Sequence, residues 1–274
     1  MEKLKFIHLT DTHMNAPHTE NMFSKLNLAE KVKSVFAHIH DSKVSPAFVV
    51  ITGDLSHEGN VQDYAYIRTI VDEGSALLNV PVYVVLGNHD HRAPFREGFL
   101  QEEASEQPYF YSHTIQGVRL IGLNSQIKGH HHGEIDTEQL AWLEETLRTP
   151  AENGTIVALH HPLLNINGMP ADHLLANREQ LGAVLEGTDV IGVVAGHVHT
   201  NNVGTYKGIC NVAATGTAFG GEAAEDNQFK MVDFCGYNII SVFEEGITVQ
   251  SVTLPGMQEE FFRFSLEAAA AHNE

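Results

Sequence analysis

Along the first 200 residues, short and largely apolar runs are each followed by a polar cluster. The runs are 5–9, 48–51, 82–86, 156–159 and 190–194, and the clusters behind them are Asp11-Thr12-His13, Gly53-Asp54, Gly87-Asn88-His89-Asp90, His160-His161 and Gly196-His197-Val198-His199. Apolar runs of this length are typical of buried strands. Because ligand sites of open α/β sheets lie beyond the carboxyl ends of the strands, we expect the five clusters to converge on one point.

Between these runs, apolar residues at helical spacing predict helices over 26–40, 61–78, 137–147 and 177–185, the third of them capped by Thr137. Further strands are predicted at 109–111, 118–123, 202–206, 209–213, 236–243 and 247–254. No linker separates the two halves, so we predict one α/β domain over residues 1–254, with two sheets and helices outside. Residues 255–274 are expected to form a C-terminal arm that packs on this body or on a second subunit in a homodimer.

Composition excludes several classes of protein. At 274 residues the chain is near the upper limit for one hydrophobic core. Its net charge is −19 and its 16 Lys and Arg residues form no basic run, so we expect no long nucleic acid as a partner. No stretch approaches the roughly 18 apolar residues of a membrane span, so no membrane partner is expected either. No signal segment precedes the first strand, and two cysteines fit a reducing compartment, so we predict a cytoplasmic protein.

The polar clusters supply carboxylate, amide oxygen and imidazole donors. This mixture suits divalent Mn, Fe, Zn or Co, and we favour Mn and Fe. Asp11 and His13 lie two residues apart, so on extended chain both can point to one side, and His197 and His199 repeat the spacing. Seven donors are too many for one tetrahedral ion but suit two ions that share a carboxylate. The candidate metal ligands are Asp11, His13, Asp54, Asn88, His160, His197 and His199.

In this order, the five clusters resemble the signature of the calcineurin-like metallophosphoesterases over residues 5 to about 200. The resemblance is closest to the class III cyclic nucleotide phosphodiesterases and their glycerophosphodiesterase relatives, because 133–143 and Gly236-Tyr237-Asn238 are similar to segments of that branch. It implies a four-layer α-β-β-α sandwich, in which two mixed sheets are flanked by helices. It also implies a first metal site of Asp11, His13, Asp54 and His199 and a second of Asp54, Asn88, His160 and His197, with Asp54 bridging.

The resemblance implies an enzyme that cleaves a small phosphodiester, in which a hydroxide bridging the two ions attacks phosphorus. We expect 3′,5′-cyclic AMP as the substrate. The alternatives are a glycerophosphodiester or phosphonate monoester, a nuclease of the same superfamily, and a non-enzymatic scaffold. Segments 213–221 and 168–170 depart from the cyclic nucleotide branch and leave the substrate open.

Two further residues are assigned to catalysis through the resemblance. His89 is expected to lie over the substrate, where it stabilises the phosphoryl oxygens or protonates the leaving alkoxide, and Asp90 is expected to orient His89 and keep it charged. The alternative for His89 is that it only supports Asn88. No serine or cysteine in the clusters has a base beside it, so no covalent phospho-enzyme is expected.

The other histidines are predicted to have structural places. His8 is expected in the core. His57 is expected in a loop, with a place close to the metal ligands as the alternative. His130-His131-His132 are expected in a solvated loop, with the rim of the pocket as the alternative. His161 is expected to point away from the ions, because neighbours on a strand alternate. Asn177 resembles a polar position near the substrate pocket of the family.

Overall fold

The computed structural model describes residues 1–17, 19, 23, 26–166, 169–170, 173–225 and 227–265. Its helices are α1 (Leu28–Asp41), α2 (Val61–Leu78), α3 (Arg92–Phe95), α4 (Thr137–Leu147) and α5 (Arg178–Leu185), and a π-helical turn, Arg96–Leu100, continues α3. Its strands are β1 (Glu2–Leu9), β2 (Phe48–Thr52), β3 (Val82–Val85), β4 (Tyr111–Ile115), β5 (Val118–Gly122), β6 (Thr155–Ala158), β7 (Val190–Ala195), β8 (Asn202–Tyr206), β9 (Ile209–Ala213), β10 (Gly220–Ala224), β11 (Gln228–Val232), β12 (Cys235–Phe243), β13 (Gly246–Leu254) and β14 (Glu260–Ser265).

The strands form two large mixed sheets and one small sheet. The first large sheet has the order β13-β12-β1-β2-β3, and the second has the order β4-β5-β6-β7-β9-β8. β1, β2 and β3 run parallel, as do β5, β6, β7 and β9, so the carboxyl ends within each set lie at one edge of their sheet. The small sheet, β10-β11-β14, is antiparallel.

The alternation of side chains along the strands builds the layers. In β1, Phe6 faces the second large sheet, where it packs in a cluster with residues such as Leu120 and Ile156. Its neighbour Ile7 faces the other way and joins the residues of α1 and α2. A third cluster packs α4 and α5 on the outer face of the second sheet. The predicted four-layer α-β-β-α sandwich is therefore confirmed.

The local predictions need some corrections. Asp136, not Thr137, caps α4, because its side chain accepts the backbone N–H of Gln139. The strand predicted at 109–111 begins at Tyr111 and runs to Ile115, because the tight turn at Gln116-Gly117 pairs Ile115 with Val118. The short helix α3 and the strands β10 and β11 were not predicted, since their few residues carry no clear apolar period.

The described part of the C-terminal arm packs on the body as β14, paired with β11. The ring of Phe261 lies 5.1 Å from that of Phe219 and 6.1 Å from that of Phe23. Residues 266–274 lie outside the described residues, and the boundary at residue 254 and the homodimer stay predictions. Among the helices described, none is both long and apolar enough to cross a membrane.

Candidate metal centre

The five polar clusters begin within one or two residues of the carboxyl ends of β1, β2, β3, β6 and β7. Backbone hydrogen bonds tie neighbouring clusters together within each sheet: Asp11 N–H donates to Gly53 O at 3.0 Å, and Gly196 N–H donates to His160 O at 2.9 Å. The His197 N–H donates to Asp11 Oδ2 at 3.0 Å and so joins the two sheets. The convergence expected from the sequence is therefore present. It brings all seven candidate ligands to the place where the two strand edges meet.

The first group of donor atoms lies around Asp11. His199 Nε2 is 3.3 Å from Asp11 Oδ1 and 3.3 Å from His13 Nε2, and His13 Nε2 is 3.7 Å from Asp54 Oδ2. Two ligand atoms that each lie about 2.1 Å from one ion are about 3.0–3.4 Å apart in octahedral or tetrahedral arrangements. The spacing of these atoms therefore fits one shared cation.

The second group lies around His160. Its Nε2 atom is 3.4 Å from Asp54 Oδ2 and 3.1 Å from Asn88 Oδ1, and its ring centroid is 5.0 Å from that of His197. Asp54 Oδ2 is thus within 3.7 Å of a histidine nitrogen from each group. This is the position that a bridging carboxylate requires.

The backbone is left-handed at five of the seven positions, including both pairs for which extended chain was expected. φ is positive at each of them: 52° at Asp11, 44° at His13, 49° at Asp54, 72° at His197 and 53° at His199. A non-glycine residue in this region costs of order 1–3 kcal/mol. The side chains of each pair point to the same side because of these left-handed conformations, not because residues two apart share a face of a strand. The reason that the sequence suggested for their common direction is therefore wrong.

Glycine at position 87 is required by close packing against Asp54. A Cβ atom built on Gly87 would lie 2.2 Å from Asp54 Oδ1 and 2.4 Å from Asp54 N, well inside contact distance. The backbone of the β3 cluster can therefore approach the shared carboxylate, and His89 N–H donates to Asp54 Oδ1 at 2.9 Å.

The chemistry of the donor set fits divalent ions. The His160 Nδ1–H donates to Thr52 O at 2.7 Å and the His199 Nδ1–H donates to Phe219 O at 2.9 Å, which leaves the Nε2 lone pairs facing inward. Burial lowers the pKa of His13 well below its usual value, so this ring is neutral and able to bind a cation. Burial also opposes a charge on His160, but the carboxylate of Asp54 outweighs it and raises the pKa of His160 to about 9, so this ring must lose a proton to bind an ion. Asp11 and Asp54 are buried, and among the described residues neither forms an ion pair with lysine or arginine. Buried carboxylates need a nearby positive charge, which bound cations would supply.

Asp90 does not orient His89 as the sequence predicted. Its carboxylate accepts the backbone N–H groups of Leu55 (3.1 Å), Ser56 (3.1 Å) and Gly87 (2.8 Å) and the hydroxyl of Tyr64 (3.0 Å). Burial, followed by the nearby carboxylate of Asp54, raises the pKa of Asp90 to about 6. The side chain therefore joins the loop that carries Asp54 to the loop that carries Asn88.

Glu58 occupies the position expected of Asp90, and sequence reasoning missed it. Its Oε1 atom is 3.1 Å from His89 Nδ1, and its Oε2 atom is 2.9 Å from His91 Nε2. Burial opposes a charge on His89, but the carboxylates of Asp54 and Glu58 outweigh it, so the pKa of His89 is raised. Glu58 follows Asp54 by four residues, and that short spacing is the feature of the sequence that placed Glu58 near the site.

The expectation for one polar residue near the site is wrong. The His161 ring does not point away from the centre but lies 4.6 Å from that of His197, because β6 has ended and alternation no longer holds. Its two nitrogens hydrogen-bond Ser125 Oγ (2.8 Å) and the carbonyl of His131 (3.0 Å), so it packs against the second group without a lone pair to offer. Asn177 binds the backbone of Ile135 and ties α5 to the segment before α4.

The remaining histidines divide between core and cavity. His8 is buried as predicted, with Nε2 2.9 Å from Thr52 Oγ1. His57 and His131 are in loops but also line the cavity above the donor groups, and the His57 ring centroid is 4.5 Å from that of His89. These two rings therefore take the alternative places, His57 close to the candidate ligands and His131 at the pocket.

A cavity of about 530 Å³ opens above the donor groups. One part of its lining is polar and includes His89, His57 and His131, and the other part is apolar. The apolar part starts at Phe219, whose ring stacks on His199 at 4.6 Å, and it includes Phe262 of β14. Volumes of this size are typical of small-molecule sites.

Comparison with known proteins gives consistent results. A model of the calcineurin-like phosphoesterase family matches residues 4–201. The chain is 33% identical over 257 residues to a probable cyclic nucleotide phosphodiesterase of Rhodococcus erythropolis, and the match covers 90% of this chain and 83% of the relative. It is 33% identical over 259 residues to a cAMP/cGMP dual specificity phosphodiesterase of Mycobacterium tuberculosis, with 91% and 79% covered. A solved dimetal phosphatase from Danio rerio shares the fold, with a TM-score of 0.57 at 16% identity over 93% of this chain and 100% of that one.

Proposed function

This chain belongs to the calcineurin-like phosphoesterase family, and from that premise we propose that it hydrolyses a small phosphodiester, with a 3′,5′-cyclic nucleotide such as cAMP as the substrate. The observation that carries the proposal is the meeting of seven oxygen and nitrogen donors around Asp54 at the floor of a cavity of about 530 Å³. The names of the two relatives at 33% identity support the substrate.

We propose that two divalent ions occupy the donor groups, with Mn and Fe favoured and Zn and Co also suited. The first would be held by Asp11, His13, Asp54 and His199, and the second by Asp54, Asn88, His160 and His197. Such ions polarise phosphoryl oxygens and activate water for attack at phosphorus.

The charge of the site decides which substrates can enter. The chain has a net charge of −19, so an anionic substrate is repelled by the protein as a whole. Two divalent ions contribute about +4, which exceeds the two buried carboxylates of Asp11 and Asp54. The centre is then locally positive and suits a small, singly charged diester, whereas long nucleic acid would meet the acidic surface.

His89 is the proposed general acid of the reaction. Glu58 contacts its Nδ1 atom, and the ring lines the cavity, so the proton on Nε2 is available to the leaving alkoxide. The raised pKa of His89 favours the protonated ring that this role requires. Glu58 is a positioning residue, because it acts on the substrate only through His89.

A substrate panel tests the proposal. The Mn-loaded protein is assayed with cAMP, cGMP, glycerophosphoethanolamine, a phosphonate monoester and a simple phosphomonoester, and kcat/KM is expected to be highest for the cyclic nucleotides. Fast hydrolysis of the monoester without turnover of any diester would refute diesterase activity. Tight DNA binding that weakens steeply with salt would instead indicate a nuclease, and no activity with any metal would indicate a scaffold.

A further inference from the structure

The small sheet β10-β11-β14 has one apolar face and one charged face. Strand pairing sets Gly221, Met231 and Phe262 in one row, and Ala223, Phe229 and Phe264 in the next. The row between them, Glu222, Lys230 and Arg263, lies on the other face because side chains alternate, and Lys230 Nζ is 2.8 Å from Glu222. The pairing of the three strands therefore places these apolar side chains together on one face.

This apolar face reaches the cavity above the candidate metal centre. Met231, Phe262 and Phe264 all line that cavity together with Phe219, which stacks on two of the proposed ligands, at 5.2 Å from His13 and 4.6 Å from His199. We call these four side chains the aromatic wall. The wall begins beside the first donor group and continues outward along β14.

Phe262 is 40% exposed although it is large and apolar. Its ring lies 5.9 Å from that of Phe264, which in turn lies 5.6 Å from the buried ring of Phe229. Phe264 is thus fixed by packing, while Phe262 keeps an open surface toward the cavity. An exposed aromatic ring at the rim of a polar site is suited to bind a flat apolar group.

We propose that the aromatic wall binds the purine base of the substrate, which makes Phe262 and Phe264 specificity-determining residues; this rests on the proposed cyclic nucleotide activity. A purine is flat and neutral, and stacking on aromatic side chains suits every base. The wall consists of three phenylalanines and a methionine, and among the described residues that line the cavity Ser265 is the only one with a hydroxyl. Discrimination between adenine and guanine is therefore expected to be weak.

The test compares cAMP with a 3′,5′-cyclic ribose phosphate in which a methoxy group replaces the base. In Phe262→Ala, kcat/KM for cAMP is expected to fall between about 5- and 100-fold, mainly through KM. The value for the substrate without a base is expected to stay unchanged. Phe264→Leu, which retains apolar volume but removes the ring, is the second variant and is expected to lower kcat/KM for cAMP in the same way. Arg263→Ala, on the same strand but on the charged face, is the matched control and should leave both values unchanged.

Direct binding of adenosine, measured by calorimetry, separates this inference from the proposed activity. Adenosine should bind the wild-type protein and bind Phe262→Ala more weakly. If the wild-type protein hydrolyses no cyclic nucleotide but shows this difference, the proposed substrate is wrong and the aromatic wall stands. If adenosine binds both proteins equally, or if Phe262→Ala slows both cyclic phosphates to the same extent, the aromatic wall is not a base site.

Discussion

Asp90→Asn tests whether a buried carboxylate outside the ligand set positions the metal-binding loops. Each oxygen of Asp90 accepts two hydrogen bonds: Oδ2 accepts from Leu55 and Gly87, and Oδ1 accepts from Ser56 and Tyr64. An amide can keep the two backbone bonds of one oxygen. Its NH₂ group then faces the Ser56 N–H, which loses its acceptor, while the Tyr64 hydroxyl can rotate to accept.

The expected loss of stability follows from the single hydrogen bond that the Ser56 N–H loses. A buried donor left without a partner costs about 1–3 kcal/mol in the free energy of unfolding, or roughly 2–10 °C in Tm. Because the same bonds hold the loops that carry Asp54 and Asn88, we also expect ion affinity and kcat/KM to fall by roughly 10- to 100-fold. The assay is run at pH 8, well above the Asp90 pKa of about 6, so that the wild-type carboxylate is ionised.

Asp189→Asn is the matched control for Asp90→Asn. Asp189 also accepts several bonds, from Ala151 N–H at 2.8 Å, Thr155 hydroxyl at 2.7 Å and Arg119 at 2.9 Å, but it lies at the opposite ends of β6 and β7. This variant should lose stability without losing ion affinity, measured by titration of the metal-free protein. Equal ion affinities in both variants would refute the positioning role of Asp90.

Three other predictions follow from the structure. Asp54→Ala should abolish hydrolysis and lower the metal content below two ions per chain with an unchanged circular dichroism spectrum; near-normal turnover would rule out its bridging role. Glu58→Gln should lower kcat by less than the ~100-fold that loss of a general acid costs, because Glu58 is exposed, and should shift the alkaline limb of the pH–rate profile to lower pH; an unmoved limb would separate Glu58 from His89. Burial lowers the pKa of His8 to about 3, so its contribution to stability is complete above pH 6.5 and falls as pH drops below it, by roughly 3 kcal/mol at pH 4. Metal-free His8→Leu should lose less stability on acidification than the metal-free wild type in urea titrations, and equal losses would show that His8 is not responsible.

The periodicity of apolar residues in the sequence was sufficient to predict the layers of the fold. Runs such as 48–51 and 190–194 became interior strands of the two sheets, and their alternating side chains separated the inter-sheet core from the helical faces. The strands of the small sheet were harder: β10 and β11 contain glycine, alanine and charged residues whose pattern has meaning only once β14 pairs with β11. The apolar residues of the C-terminal arm were visible in the sequence, but their place beside the cavity was not.

The sequence by itself determined which side chains form the candidate centre, because parallel strands place the residues after them at one edge of each sheet. Only the tertiary structure decided how those side chains point, since five of the seven depend on left-handed backbone conformations that no apolar period encodes. It also decided that Glu58, not Asp90, contacts His89, and that Phe262 lines the cavity. Hydrogen-bond partners and cavity walls depend on contacts between segments far apart in the chain, whereas strand and helix patterns depend on neighbours within a few residues.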